Sequence, residues 1–170
     1  MDPAVSEVER VYLLDRLPEL PATAVRVRIE QGYLPDAQNA GATGGDEMTE
    51  GRLRRRVDPD GSVHLTHTIK RGEGLVRSEA ERTITEAQFE AHWPRTAGRR
   101  LSKTRHRVPA GPLVWEIDDF DDLDLVLAEV ELPSPEVKAP PPEWLAPHIV
   151  REVTEDQRYR NYEIAKRMTK

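Results

Sequence analysis

Strand-length stretches of this sequence carry like charges two residues apart. Glu7 and Glu9 come first, then Arg52 and Arg54 with Arg56 in the same phase, and Lys70 ends the stretch after that. Glu79 and Glu81 follow, then Lys103, Arg105 and Arg107, then Glu116 and Asp118, and Glu129 and Glu131 close the series. A β-strand repeats every two residues, so each pair shares one face. The residues between are often apolar, as at Val8, Leu53, Ile117 and Val130. A half-buried strand with its charges in water shows the same alternation, and for any single pair that reading is sufficient. The set asks for more: the sign is uniform within each pair, and nearly every stretch has one. Like charges side by side repel, more strongly in a confined site than in water. Bound ions of opposite sign would offset that repulsion. Arginine forks match phosphate oxygens, and carboxylates bind hard cations such as Mg²⁺ or Mn²⁺. A polyphosphate with its divalent cation would satisfy both sets, provided the strands converge on one cavity.

The elements that must position these side chains read as strands over Val5–Leu14, Thr23–Tyr33, Gly51–Val57, Val63–Lys70, Glu79–Ile84, Arg99–Val108, Leu113–Asp118 and Asp124–Leu132. Turn signals separate several of them, among them Asp58-Pro59-Asp60-Gly61 and Pro109-Ala110-Gly111-Pro112. About eight strands with few helices predict an antiparallel barrel or sandwich. Thr85 and Gln88 have capping-box spacing, Phe89 and Trp93 follow on one helical face, and Pro94 ends that helix. Thr154 and Gln157 repeat the spacing ahead of Tyr159, Tyr162 and Ala165. Asp36 to Gly51 is rich in Gly, Ala, Asn and Asp and reads as a surface loop. Pro133 to Pro142 holds five prolines and reads as extended and irregular.

Composition narrows the classes. At 170 residues the chain fits one domain over 1–170. Apolar residues make up 37% and charged residues 33%, so many charges must sit in structured places. A net charge of -6 argues against a nucleic-acid partner, while 25 Lys and Arg leave room for a local basic pocket. The absence of cysteine excludes disulfides and thiolate metal sites. No stretch has signal-peptide or transmembrane character, which predicts a soluble cytoplasmic protein without a membrane partner. His64 and His67 are three apart in a strand and so face opposite sides; both are read as surface residues. His106 and His148 stand alone. No Walker-type glycine loop is present, and Ser78 and Ser102 lack a neighbouring His and acid.

In order along the chain, these motifs resemble the CYTH family, the triphosphate tunnel metalloenzymes. Glu7-Val8-Glu9-Arg10 is similar to the family's opening ExExK signature. Gln31-Gly32-Tyr33-Leu34, Arg52-Leu53-Arg54, Thr68-Ile69-Lys70 and Glu79-Ala80-Glu81 continue the match. The basic run Arg99 to Arg105, then Glu116-Ile117-Asp118, Glu129-Val130-Glu131 and the ending Glu152 to Asp156 with Tyr159-Arg160-Asn161, complete it. The resemblance covers nearly the whole chain.

The resemblance implies an α+β fold: a closed eight-stranded antiparallel β-barrel, a tunnel, with flanking helices. It implies hydrolysis of a triphosphate, inorganic tripolyphosphate above all, with Mg²⁺ or Mn²⁺ as cofactor. Glu7, Glu9, Glu129 and Glu131 would be metal ligands, and Arg52, Arg54, Lys70, Lys103 and Arg105 would hold phosphates. Glu79, Glu81, Glu116 and Asp118 would line the tunnel, and Tyr33 would be catalytic. The signature's lysine falls at Val11, which shares the inward face of Glu7 and Glu9, whereas Arg10 faces out. Valine can neither donate to phosphate nor move a proton. An alternative is therefore a catalytically weak or inactive tunnel protein that binds a nucleotide or polyphosphate. Adenylate cyclase ranks below both, since nothing marks an adenine pocket. The partner expected is a small-molecule triphosphate, with a homodimer as an open possibility.

Overall fold

The computed structural model of the protein describes residues 5–35 and 48–168. Most of the surface loop expected over Asp36 to Gly51 lies outside the described residues. The strands are β1 (Val5–Leu14), β2 (Val25–Tyr33), β3 (Arg52–Val57), β4 (Val63–Arg71), β5 (Val76–Thr83), β6 (Arg100–Ala110), β7 (Leu113–Phe120), β8 (Val126–Leu132) and β9 (Ile149–Glu152). Eight match the sequence expectation within a few residues. β9 was not foreseen, and β5 begins earlier, at Val76, which brings Arg77 into the strand.

Hydrogen bonding runs in the order β5-β4-β3-β2-β6-β7-β8-β1, and β1 also pairs β5, so the sheet closes on itself. Every ladder is antiparallel. Closure removes the two open edges that an eight-stranded sheet would otherwise expose. β1 is long enough to serve three neighbours. Val5 to Val8 pair β5, Val8 to Leu14 pair β8, and Tyr12 to Leu14 pair β9 outside the ring. Between β5 and β9 the β1 backbone is satisfied by the Leu75 carbonyl at Glu9 and by the Thr154 hydroxyl at Val11.

Two apolar clusters lie outside the barrel. Val8, Leu14, Trp115, Ile117, Ala128, Val130 and Leu145 form one, covered by Val137, Ala139, Trp144 and Ile149 of the segment that follows β8. Leu34, Met48, Leu53, Ile84 and Phe89 form the other. Phe89 comes from α1 (Glu86–His92), which has the full capping box: Thr85 Oγ1 accepts from Gln88 N–H, and Gln88 Oε1 accepts from Thr85 N–H. A 3₁₀ turn over Trp93–Thr96 follows, with Pro94 in its first turn.

The third cluster lies inside. Leu101, Phe120 and Leu127 have the interior parity of their strands and meet Val153, Ile164 and Ala165. The last two belong to α2 (Asn161–Met168), which packs on β6 and β2. Each buried large apolar side chain contributes about 1.5–3 kcal/mol, so this patch anchors α2 against the barrel interior. The second capping box does not form. Asp156 caps the 3₁₀ turn Gln157–Tyr159, and Thr154 Oγ1 is committed to Val11 N–H and Glu152. Among the described residues no helix is long and apolar enough to cross a membrane.

Candidate functional site

Interior parity brings the charged series together around a cavity of about 920 Å³. Glu7, Glu9, Glu79, Glu81, Glu116, Glu129 and Glu131 line it, as do Arg52, Arg54, Lys70, Arg105 and Tyr33. The structure thus gathers on one cavity twelve of the fourteen residues singled out from the sequence. Lys103 and Asp118 lie outside the lining, fully buried. Lys103 Nζ donates to Asp118 Oδ2 at 2.6 Å and to Asn161 Oδ1 of α2 at 2.9 Å. Burial lowers the Lys103 pKa to about 8 despite Asp118. Its ammonium is spent on the protein's own acceptors.

β1 and β8 make an acidic wall. Glu9 is the register partner of Glu131, and Val11 that of Glu129. Burial, and then the neighbouring Glu129 charge, push the Glu9 carboxyl up to about 8. Its nearest cation is Arg77, at 3.5 Å. Glu131 has no ion pair among the described residues. Lys70 is shared between Glu7 at 3.0 Å and Glu79 at 3.2 Å.

β3 makes the basic wall. Arg52 and Arg54 are register neighbours of Tyr33 and Gln31 on β2. Arg52 Nη2 donates to Thr68 Oγ1 at 3.1 Å, Glu81 lies 3.6 Å away, and its Nε is buried without a partner among the described residues. Arg54 has no carboxylate within ion-pair distance among the described residues; its Nε donates to Gln31 Oε1 at 3.0 Å. Burial lowers its pKa to about 9, and the charges of Arg52 and Arg105 add to the shift. A half-buried guanidinium beside another, with no carboxylate at ion-pair distance, is a costly arrangement that a bound anion relieves. Around the eight-strand ring β3 and β8 stand four strands apart in either direction, so the basic wall that holds the unpaired Arg54 faces the acidic wall that holds the unpaired Glu131.

Arg105 differs from Arg54. Its Nε and Nη2 donate to Asp118, Nη2 also to Glu129 at 2.9 Å, and Nη1 to Glu116 at 3.0 Å. That guanidinium is held as a fixed cation joining β6, β7 and β8.

Sequence reasoning missed three interior residues. Arg77 shares parity with Glu79 and Glu81, a signal that was present. Gln31 shares parity with Tyr33. Asn161 has no strand signal, because it reaches Lys103 from α2. The surface reading of His67 fails: it is 2% exposed, because its Nε2 bonds the Glu50 carbonyl at 2.7 Å on the barrel's outer side. His64 does stay at the surface, beside Asp58.

Among the described residues no three carboxylates or imidazoles form a ready-made metal cluster. The donor chemistry nevertheless suits a hard cation: the acidic wall offers only oxygen, and the Glu9 carboxyl beside Glu129 is a group that a cation would return to its ionised form. Small divalent ions commonly take one or two carboxylates and complete their shell with water and phosphate oxygens.

Fold and site together define a closed antiparallel barrel with an interior cavity of two opposed charges. The chain is 37% identical, over 95% of its own length and 97% of the other, to the inorganic triphosphatase of Nitrosomonas europaea. A shorter match, 35% identical over 39% of this chain and 41% of the other, is to the inorganic triphosphatase of Acetivibrio thermocellus. The crystal structure of the inorganic triphosphatase NE1496 superposes with a TM-score of 0.61 at 32% identity, covering 95% of both chains. No protein-family model matches the chain. The chain belongs to the family of these inorganic triphosphatases.

Proposed function

We propose that the protein hydrolyses a triphosphate, inorganic tripolyphosphate above all, inside its barrel cavity with a divalent cation, Mg²⁺ or Mn²⁺. The carrying observation is Arg54: half-buried on the cavity wall, under the like charge of Arg52, and without a carboxylate partner among the described residues. Its fork and that of Arg52 hold phosphate oxygens in this reading, with Lys70 nearby. Glu9 and Glu131, with Glu7 and Glu129, hold the cation, which when bound neutralises phosphate charge on the acidic side. Water attacks the terminal phosphorus, the bond to the bridging oxygen breaks, and orthophosphate and pyrophosphate leave with the water's protons. Such phosphoryl transfer depends chiefly on positioning and charge stabilisation, which fixed guanidiniums supply. The relatives named inorganic triphosphatase support the substrate class.

The test is phosphate release from tripolyphosphate, with ATP alongside, in Mg²⁺, in Mn²⁺ and in chelator. Release that needs the metal and favours tripolyphosphate is expected. Val11, on the cavity wall where the family signature has lysine, favours a second reading of binding without turnover. Tight tripolyphosphate binding with no release under any metal would replace the first reading with the second.

A further inference from the structure

Gln31 and Tyr33 lie two apart on β2 and share its interior face. Gln31 is fully buried, and its amide spans two partners. Arg54 Nε donates to Gln31 Oε1 at 3.0 Å, and Gln31 Nε2 donates to the Tyr33 hydroxyl oxygen at 2.9 Å. The polarity of this chain is forced. An arginine Nε can only donate. The carbonyl end of the amide must therefore face Arg54, and the NH₂ end must face Tyr33. The Tyr33 oxygen is then an acceptor, and its own proton has to point elsewhere. Among the described residues no other hydrogen-bond partner takes that proton, and Tyr33 lines the cavity. Its ring is held edge-on by Tyr162 of α2, with centroids 5.3 Å apart.

We infer that Gln31 is a positioning residue that fixes the Tyr33 hydroxyl as a hydrogen-bond donor into the cavity, directed at an anionic phosphate oxygen. Tyr33 is thereby a donor and not a base. Burial raises the phenol pKa, against the pull of Arg52, Arg54 and Lys70, so the proton is present at neutral pH. Through one amide, Gln31 also ties the Tyr33 donor to the Arg54 fork, so both address the same phosphate chain. The identity of the acceptor rests on the function proposed above; the direction of the proton does not.

The decisive variant is Gln31→Glu. A carboxylate can accept from Arg54 and from Tyr33 together, which turns the hydroxyl away from the cavity. In the wild-type chain with tripolyphosphate and Mg²⁺, Tyr33→Phe should lower kcat about ten- to hundredfold, the scale of one hydrogen bond to a charged group. In the Gln31→Glu background the same change should cost less than about twofold, because the donor is already lost. The near-ultraviolet phenolate signal of Tyr33, taken by difference from Tyr33→Phe, should titrate at higher pH in Gln31→Glu than in wild type. Gln31→Met, which removes the donor without adding a charge, should shift it the same way and serves if the charged variant fails to fold. An equal loss from Tyr33→Phe in both backgrounds, or an unmoved Tyr33 titration, overturns the inference. If the wild-type chain hydrolyses no triphosphate, the proposed function falls, while the titration still decides where the Tyr33 proton points.

Discussion

Asp118 takes two arms of Arg105, accepting from Nε at 2.7 Å and from Nη2 at 2.8 Å, while Lys103 sits 2.6 Å from the same Oδ2. Burial alone would raise this carboxyl's pKa, yet the two cations hold it far below the usual range. One anion therefore anchors two buried cations from β6. Asp118→Asn should leave both undercompensated and cost about 3–5 kcal/mol, the scale for breaking a buried ion pair. Urea unfolding should report a lower midpoint with an unchanged slope. An unchanged midpoint would show that Glu116 and Glu129 suffice for Arg105.

Arg54 should behave in the opposite sense. It is half-buried with like charges around it and no carboxylate partner among the described residues, so it burdens the unliganded protein. Arg54→Met should leave the unliganded protein as stable as wild type or more so. The same variant should lose most of the thermal protection that tripolyphosphate gives, because that protection scales with affinity. KM should rise about tenfold or more, as expected for one charged phosphate contact. Differential scanning fluorimetry with and without tripolyphosphate separates the two effects. A variant destabilised when empty yet fully protected by ligand would assign Arg54 to structure.

Strand parity is why so much of the site was legible beforehand. Period-two alternation names the face of a side chain, and closure of the sheet turns one face into an interior, so Glu9, Arg54 and Glu131 meet as expected. Parity does not say how deep a residue sits or which partner it will take. Lys103 and Asp118 have the same phase as Arg105 but lie at the level of Phe120 and Leu127, where α2 packs and no cavity remains. β9 is short, with Val150, Arg151 and Glu152 exposed, so it lacks an apolar face to announce it. The Thr154–Gln157 spacing misled because the Thr154 hydroxyl meets an unpaired β1 amide from far along the chain. His67 looked like a surface residue because its partner is the Glu50 carbonyl, which no pattern in the strand encodes.

Gly32 shows how tightly the outer face of β2 is used. A Cβ built there would lie 2.5 Å from Thr96 Oγ1 and 2.6 Å from Thr96 Cβ. Thr96 cannot yield easily: its hydroxyl donates to the Trp93 carbonyl and accepts from Arg100 Nε. Gly32→Ala should therefore push the 3₁₀ turn off β2 and cost about 1–3 kcal/mol, the usual scale of overpacking. Thermal unfolding should show a fall of about 2–12 °C, taking roughly 2–4 °C per kcal/mol for a domain of this size. Because Gly32 faces away from the cavity, kcat below the unfolding range should be little changed. A large loss of kcat with wild-type stability would contradict this placement.

Glu9 sets a pH dependence whose sign follows from its environment. Burial and the Glu129 charge raise its pKa from 4.5 to about 8, so the folded state holds this proton more tightly than the unfolded chain. The stability tied to that proton is fully present below pH 4.5 and is lost as pH rises through about 8. Glu9→Gln keeps a neutral side chain at every pH and should remove the loss. The variant should melt near wild type at pH 5 and about 4 °C or more above it at pH 8, in chelator, given roughly 2–4 °C per kcal/mol. Mg²⁺ should raise the wild-type melting temperature more at pH 8 than at pH 5, because a cation competes with the proton for the same oxygens. That increment should shrink in Glu9→Gln. Identical melting curves for the two proteins across this pH range would mean that Glu9 ionises freely, and that the acidic wall does not store the charge strain assigned to it.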